Sequence, residues 1–176
     1  MSIIVSKNIK LKILNTLSSN INWMCKKRKK PTGPYIIVLG IAQDSGYPQI
    51  NCQKQCCQKA WKDPKLKKMV ACLAIVDPNT NQQWMLDATP DIKEQLQLIK
   101  KNTGNETLDG ILLTHAHIGH YTGLMHFGRE AMGASRLPVF AMKKMKKFLE
   151  NNGPWSQLVN LQNIKLIKLK ADVKFN

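Results

Sequence analysis

The stretch Ile111-Leu-Leu-Thr-His-Ala-His-Ile-Gly-His-Tyr-Thr-Gly-Leu124 constrains this chain more than any other part of it. It begins with a short apolar run after Gly110, too short for a helix and suited to a buried strand. His115, His117 and His120 then follow directly, three of the four histidines in the chain. Open α/β sheets place their ligand sites at strand ends, so the fold must deliver this strand end to solvent. Histidines at i and i+2 in extended backbone project to one side, which places His115 and His117 to grip one ion together. His120, three residues further at a helix start, approaches from another direction and is placed to serve a neighbouring ion. The plainer alternative is three surface or hydrogen-bonded loop histidines, but this spacing directly after an apolar run favours metal.

The rest of the chain supplies strands and helices around that segment. Tyr35-Ile-Ile-Val-Leu-Gly40 reads as a buried strand, and residues 43–49, which hold Gly and Pro, as a loop. Residues 70–77 and 82–87 flank the turn Pro78-Asn-Thr-Asn81 and predict a hairpin. Thr89-Pro90-Asp91 opens a helix whose Ile92, Leu96 and Ile99 share a face. Residues 110–114 are the next strand, and 119 to about 132 read as helical despite internal glycines. A strand over 137–142, a helix over 143–151 and a last strand over 164–169, with period-two lysines on its outer side, complete the pattern. Early hairpin strands followed by strand–helix alternation indicate α/β layers with a mixed sheet. A length of 176 residues suits one domain, with or without a tail.

Charge is the compositional outlier, at +16. Lys supplies nearly all of it, with Arg only at 28, 129 and 136. Specific nucleic-acid readers use Arg forks and stacking aromatics, so the charge reads first as a lysine-rich composition, with nucleic acid the weaker alternative. Residues 1–33 contain no acidic residue and close on Lys26-Lys-Arg-Lys-Lys30. Ile3, Ile4, Ile9, Leu11, Ile13, Leu14, Leu17 and Ile21 allow a ragged amphipathic helix, but a flexible basic leader ahead of a domain at 34–176 is the expected arrangement. Lysines at 7, 10 and 12 interrupt any secretory core. A cytoplasmic location is expected, with an N-terminal targeting leader left open. No apolar run approaches the roughly 20 residues of a membrane span.

Cysteines at 25, 52, 56, 57 and 72 are odd in number and clustered, which points to a reducing compartment or a metal site rather than a disulfide framework. Cys52, Cys56 and Cys57 read equally as a structural metal site, a redox pair or unliganded loop thiols. Cys72, inside an apolar strand, reads as core.

The histidine segment resembles the His-x-His-x-Asp-His signature of the metallo-β-lactamase superfamily, and Leu86-Asp87-Ala-Thr resembles the strand ending in Asp that precedes it there. A closer similarity is to the PQQ synthesis B group. It rests on Gly46-Tyr-Pro-Gln-Ile-Asn-Cys52, Pro90-Asp91-Ile92, His120-Tyr-Thr-Gly-Leu124 and Arg129-Glu130. The resemblance implies the first half of an αββα sandwich and a metal-dependent enzyme acting on a small molecule, by hydrolysis or oxidative cofactor maturation. It implies His115, His117 and His120 as ligands of zinc, with iron the alternative, and Asp87 as an acceptor for hydrogen bonds from the histidine loop. It also implies a second, structural zinc at Cys52, Cys56 and Cys57, although Lys54 stands at the family's middle cysteine. Gly119 stands where the signature has Asp, and no histidine follows His126. The expectation is therefore an N-terminal portion or shortened copy that binds metal weakly and has no robust catalysis as it stands. The alternative is a degraded remnant or binding module whose basic leader contacts an anion. Asp44 is expected to line the pocket, His126 to lie on the surface, and Lys143, Lys144, Lys146 and Lys147 to form a solvated helix face.

Overall fold

The computed structural model describes residues 2–5 and 31–173. The strands are β1 (Ser2–Val5), β2 (Tyr35–Gly40), β3 (Cys72–Asp77), β4 (Gln82–Leu86), β5 (Gly110–Leu112), β6 (Leu137–Met142) and β7 (Ile164–Leu169). They form one sheet in sequence order. The β2–β3 and β3–β4 pairs are antiparallel, and β1–β2, β4–β5, β5–β6 and β6–β7 are parallel. The helices are α1 (Gln55–Lys62), α2 (Ile92–Thr103), α3 (Lys143–Asn151) and α4 (Trp155–Asn160). The expected mixed sheet with helices is therefore present, and among the described residues no helix is long and apolar enough to cross a membrane.

Strand alternation sets the core. Tyr35, Ile37 and Leu39 of β2, Ala74 and Val76 of β3, Met85 of β4, and Val139 and Ala141 of β6 bury one face of the sheet. They share a cluster with Ile92 and Ile99 of α2, Leu149 of α3 and Trp155 and Leu158 of α4. The shared α2 face read from the sequence is the one that packs here. Its first turn is fixed by polar side chains that are themselves buried. Thr89 Oγ1 accepts from Asp91 N at 3.1 Å and donates to Gln95 Oε1 at 2.8 Å. Gln95 Nε2 donates to Val70 O at 2.9 Å, and Asp91 Oδ2 accepts from Val70 N at 2.7 Å. These bonds lock α2 to the chain entering β3, leaving no orphaned donor at that seam.

Four features differ from the sequence pattern. Residues 119–132 do not form an α-helix but two 3₁₀ turns, Ile118–His120 and Thr122–Phe127, followed by further turns. The backbone there bonds outward: Ala88 N donates to His120 O at 2.8 Å, and Gly123 N to Ala88 O at 2.9 Å. A Cβ on Gly123 would lie 2.1 Å from Thr89 O, so this contact needs glycine. Residues 55–62 form α1, a short helix that begins inside the segment where Cys56 and Cys57 were expected on a loop, and it buries Cys57 and Ala60. Helix α4 was not foreseen. In β7 the exposed Lys165 and Lys168 are three apart, so the lysines do not keep period two.

At the N-terminus, the backbone of Ser2–Val5 runs parallel to β2, pairing Ser2 with Tyr35 and Val5 with Val38. Residues 6–30 of the expected leader, including the basic run at 26–30 and Cys25, lie outside the described residues.

Candidate metal centre

β2, β4 and β5 run in the same direction, so the loops that follow them meet at one sheet edge. These loops carry Asp44, Asp87 and the segment Thr114–His120 respectively. Asp87 turns the chain at the end of β4 with φ of 70°, a left-handed conformation uncommon for a residue with a side chain. Its N–H donates to Leu112 O at 2.9 Å, tying the turn to β5. Its carboxylate is buried and accepts from Thr114 N at 2.8 Å, from Thr114 Oγ1 at 2.8 and 2.9 Å, and from His120 Nδ1 at 2.8 Å.

This carboxylate sets the protonation of two imidazoles. The Thr114 hydroxyl has one proton, and Asp87, which can only accept, takes it. Thr114 Oγ1 also lies 2.8 Å from His115 Nδ1, so His115 carries its proton on Nδ1 and leaves Nε2 with a free lone pair. His120 likewise donates from Nδ1 to Asp87, which leaves the lone pair on Nε2. Ligand atoms of Asp87, His115 and His120 lie within 4.8 Å of one another. The His115 ring centroid is 4.1 Å from that of His120 and 4.6 Å from that of His117. His120 forms a buried floor, and His115 and His117 an exposed rim.

Asp44 completes the arrangement from the β2 loop. Its Oδ1 is 3.0 Å from His120 Nε2, and its Oδ2 is 3.3 Å from His117 Nδ1. A neutral imidazole has one N–H, and Asp87 already uses that of His120. Two acceptors at 3.0 Å then require a positive charge between them, either a second proton or a metal ion. In the protonated case, burial disfavours the His120 imidazolium, but hydrogen bonds and charge from Asp87 and Asp44 outweigh it and raise the pKa above the ordinary value. The same contact with His120 lowers the Asp44 carboxyl. In the metal case, two donor atoms about 2.0–2.2 Å from one ion at roughly tetrahedral to right angles stand about 3.0–3.5 Å apart. The spacings from Asp44 to His117 and His120 satisfy that condition, so the residues present fit a divalent metal.

The structure thus brings His115, His117, His120 and Asp87 to one place. Asp44, expected to line the pocket, joins them from 76 residues before His120. Thr114, directly before the first histidine, is the member the sequence reading did not single out. His126 is not part of the cluster; it lines a separate groove of about 460 Å³ with Ile92, Leu96 and Phe127. Gly119 is buried, and a Cβ built there would lie 2.5 Å from Asp44 O, 2.6 Å from Asp44 Cβ and 2.7 Å from Asp44 Cα. The Asp44 segment fills the space that a side chain at 119 would need.

A second donor cluster lies nearby. Cys56 and Cys57 open α1, and their sulfurs and that of Cys52 lie within 4.8 Å of one another. Trp61 Nε1 donates to Cys52 O at 2.9 Å and the Tyr47 hydroxyl to Cys56 O at 2.6 Å, which fixes both ends of the loop. A backbone hydrogen bond at Lys54 lowers the Cys52 thiol toward the thiolate that metals need. For Cys57 a backbone hydrogen bond at Gln49 acts the same way, but the adjacent sulfurs and burial outweigh it and raise that thiol. A groove of about 430 Å³, lined by Tyr47, Cys56, Cys57 and Lys68 among others, runs from this cluster to Asp44. Cys72 is core as expected, with burial pushing its thiol up.

Comparison with known proteins places this geometry. A family model described as beta-lactamase superfamily domain matches residues 83–176. Coenzyme PQQ synthesis protein B of Methylorubrum populi is 30% identical over 97 residues, covering 52% of this chain and 32% of that protein. The same-named protein of Rhodopseudomonas palustris is 30% identical over 129 residues, covering 70% of this chain and 40% of its own length. The crystal structure of Zn²⁺-bound PqqB from Methylobacterium extorquens superposes with a TM-score of 0.66 at 22% identity, over 80% of this chain and 50% of that one. The chain spans about a third to a half of the length of the relatives it matches. By the superfamily match across residues 83–176 and the shared fold, the chain belongs to the beta-lactamase superfamily, as a metallo-β-lactamase fold protein similar to coenzyme PQQ synthesis protein B.

Proposed function

We propose that this chain is the metal-holding part of a hydrolytic centre that acts on a small-molecule ester or phosphodiester, with zinc as the ion. The observation that carries the reading is the pair of proton relays from Asp87, which leave Nε2 of both His115 and His120, whose ring centroids lie 4.1 Å apart, as lone-pair donors. His115, His117 and His120 would hold the ion. Bound zinc lowers the pKa of its water toward neutrality and polarises an oxygen of the substrate. Asp87 keeps the protons on Nδ1 of His120 and, through Thr114, of His115, so neither ring turns a proton toward the ion. His115 and His117 are exposed, which leaves that side of the centre open to water and substrate. The groove leading to Cys56 offers Lys68 to an anionic group. The zinc-bound relative supports the choice of ion.

Equilibrium dialysis of the full chain against zinc, manganese and ferrous iron, paired with hydrolysis of p-nitrophenyl acetate and bis(p-nitrophenyl) phosphate, tests the reading. The expected result is a zinc ion and a hydrolytic rate that both disappear in His115→Ala. Zinc uptake indifferent to His115 would refute the metal site, and His115-dependent uptake without hydrolysis would leave a binding module.

A further inference from the structure

We infer that Asp44 is a direct metal ligand and supplies, from a different loop, the carboxylate that Gly119 lacks. The inference rests on the metal site proposed above and adds to it a ligand 75 positions away from residue 119 in the chain, by subtraction of 44 from 119.

Three observations converge. The first is steric. Any side chain at 119 would begin 2.5 Å from Asp44 O and 2.7 Å from Asp44 Cα, atoms that belong to backbone and cannot swing aside. Asp44 in this place and a side chain at 119 therefore exclude one another. The second is directional. The two oxygens of Asp44 face different histidines, Oδ1 toward His120 Nε2 at 3.0 Å and Oδ2 toward His117 Nδ1 at 3.3 Å. The third is the proton count. With the His120 Nδ1–H committed to Asp87, its Nε2 and Asp44 Oδ1 are both acceptors and need a cation between them.

These contacts place a carboxylate between the second and third histidines, where it can join their ion or link two ions. The loop leaves it accessible: the Asp44 side chain is 39% exposed, against 7% for Asp87. Asp87 is buried and engaged by three donors from Thr114 and His120, so it orients the histidines while the more exposed Asp44 is placed to bind. The glycine at 119 thus moves the carboxylate to another loop instead of removing it, and the centre reaches three imidazoles and one carboxylate.

The test is a zinc competition titration of the full chain against a chromogenic chelator, with the visible spectrum of the cobalt-loaded protein as second readout. The site signal is defined as the part lost in His115→Ala, which separates it from the thiol cluster. Asp44→Asn keeps size and polarity, so its far-ultraviolet circular dichroism spectrum should match that of the parent and show an intact fold. Its His115-dependent zinc affinity should fall at least about 10–100-fold, the range for losing even an orienting partner. The His115-dependent cobalt bands should also shift. Gly119→Asp should not raise affinity, because its Cβ meets the Asp44 backbone. Unchanged affinity and cobalt spectrum in Asp44→Asn, with a His115-dependent site intact, would overturn the role of Asp44 alone. If no His115-dependent site is found in the parent chain, the proposed function falls together with this inference.

Discussion

Asp87→Asn separates the support of the fold from the preparation of the ligands. In the parent, three donors converge on this buried carboxylate: Thr114 N–H, the Thr114 hydroxyl and His120 Nδ1–H. Asn offers one acceptor oxygen and one NH₂. With its oxygen kept toward Thr114, the NH₂ faces His120 Nδ1, and the ring can accept only by moving its proton to Nε2. That proton then points at Asp44 Oδ1, 3.0 Å away, and donates to it. The number of hydrogen bonds is preserved, so the stability loss should be about 1–2 kcal/mol, from exchanging charge-assisted bonds for neutral ones. Metal binding loses more. His120 Nε2 no longer has a lone pair, and restoring it sets a ring N–H against the Asn NH₂ in a buried place. That mismatch costs about 1–3 kcal/mol, roughly 5- to 150-fold in affinity. Asp87→Ala, by contrast, removes the acceptor of the Thr114 N–H and orphans the buried His120 donor, the latter at about 1–3 kcal/mol, and should lower stability beyond Asn. Urea denaturation gives the stabilities, chelator competition gives the affinities, and long-range ¹H–¹⁵N spectra report which His120 nitrogen carries the proton. Wild-type zinc affinity in Asp87→Asn, or a His120 proton still on Nδ1, would refute the argument.

Two further outcomes follow from the same contacts. In chelator-treated protein the His120 pKa is raised in the folded state, so the imidazolium clamp is fully stabilising below the ordinary value of 6.5 and is lost as pH rises through the folded value. The lowered Asp44 carboxyl works in the other direction, stabilising above its ordinary 3.8 and fading as pH falls. Denaturation midpoints should therefore decline from pH 6.5 upward, and the decline should vanish in His120→Gln; a flat or rising profile would count against the clamp. Gly123→Ala places a Cβ 2.1 Å from Thr89 O and should cost about 1–3 kcal/mol by overpacking, with weaker zinc binding as the His120 turn is pushed off Ala88. A variant that melts with the parent would show that the two loops have room to part.

Much of the fold was legible because strand and helix periods are local. β2, the β3–β4 hairpin, β6 and α3 follow from apolar runs, turn residues and the spacing of buried side chains, and α2 from Thr89-Pro90 with Ile92 and Ile99 on one face. The turn chemistry of 118–127 was not legible. Glycines at 119, 123 and 128 permit a helix at low propensity, and only the backbone bonds to Ala88 decide for 3₁₀ turns. Helix α1 escaped because it is short: Cys56, Cys57, Ala60 and Trp61 keep helical spacing, but over 8 residues that is little more than two turns of pattern.

The sequence by itself determined that three histidines stand at the end of a buried strand with an Asp closing the strand before it, because both follow from residue order along single elements. It also showed a glycine at 119, which reads as a missing carboxylate and leaves open a single-metal site or a second site completed differently. Tertiary structure decided what the position means. The β2 loop reaches the same sheet edge because β2, β4 and β5 share a direction, which no local pattern records. Its Asp44 occupies the space that a side chain at 119 would fill and turns its carboxylate to His117 and His120. The protonation of the histidines was settled in the same way. One buried carboxylate and one threonine hydroxyl share a fixed number of protons, and that count exists only once the two loops are side by side.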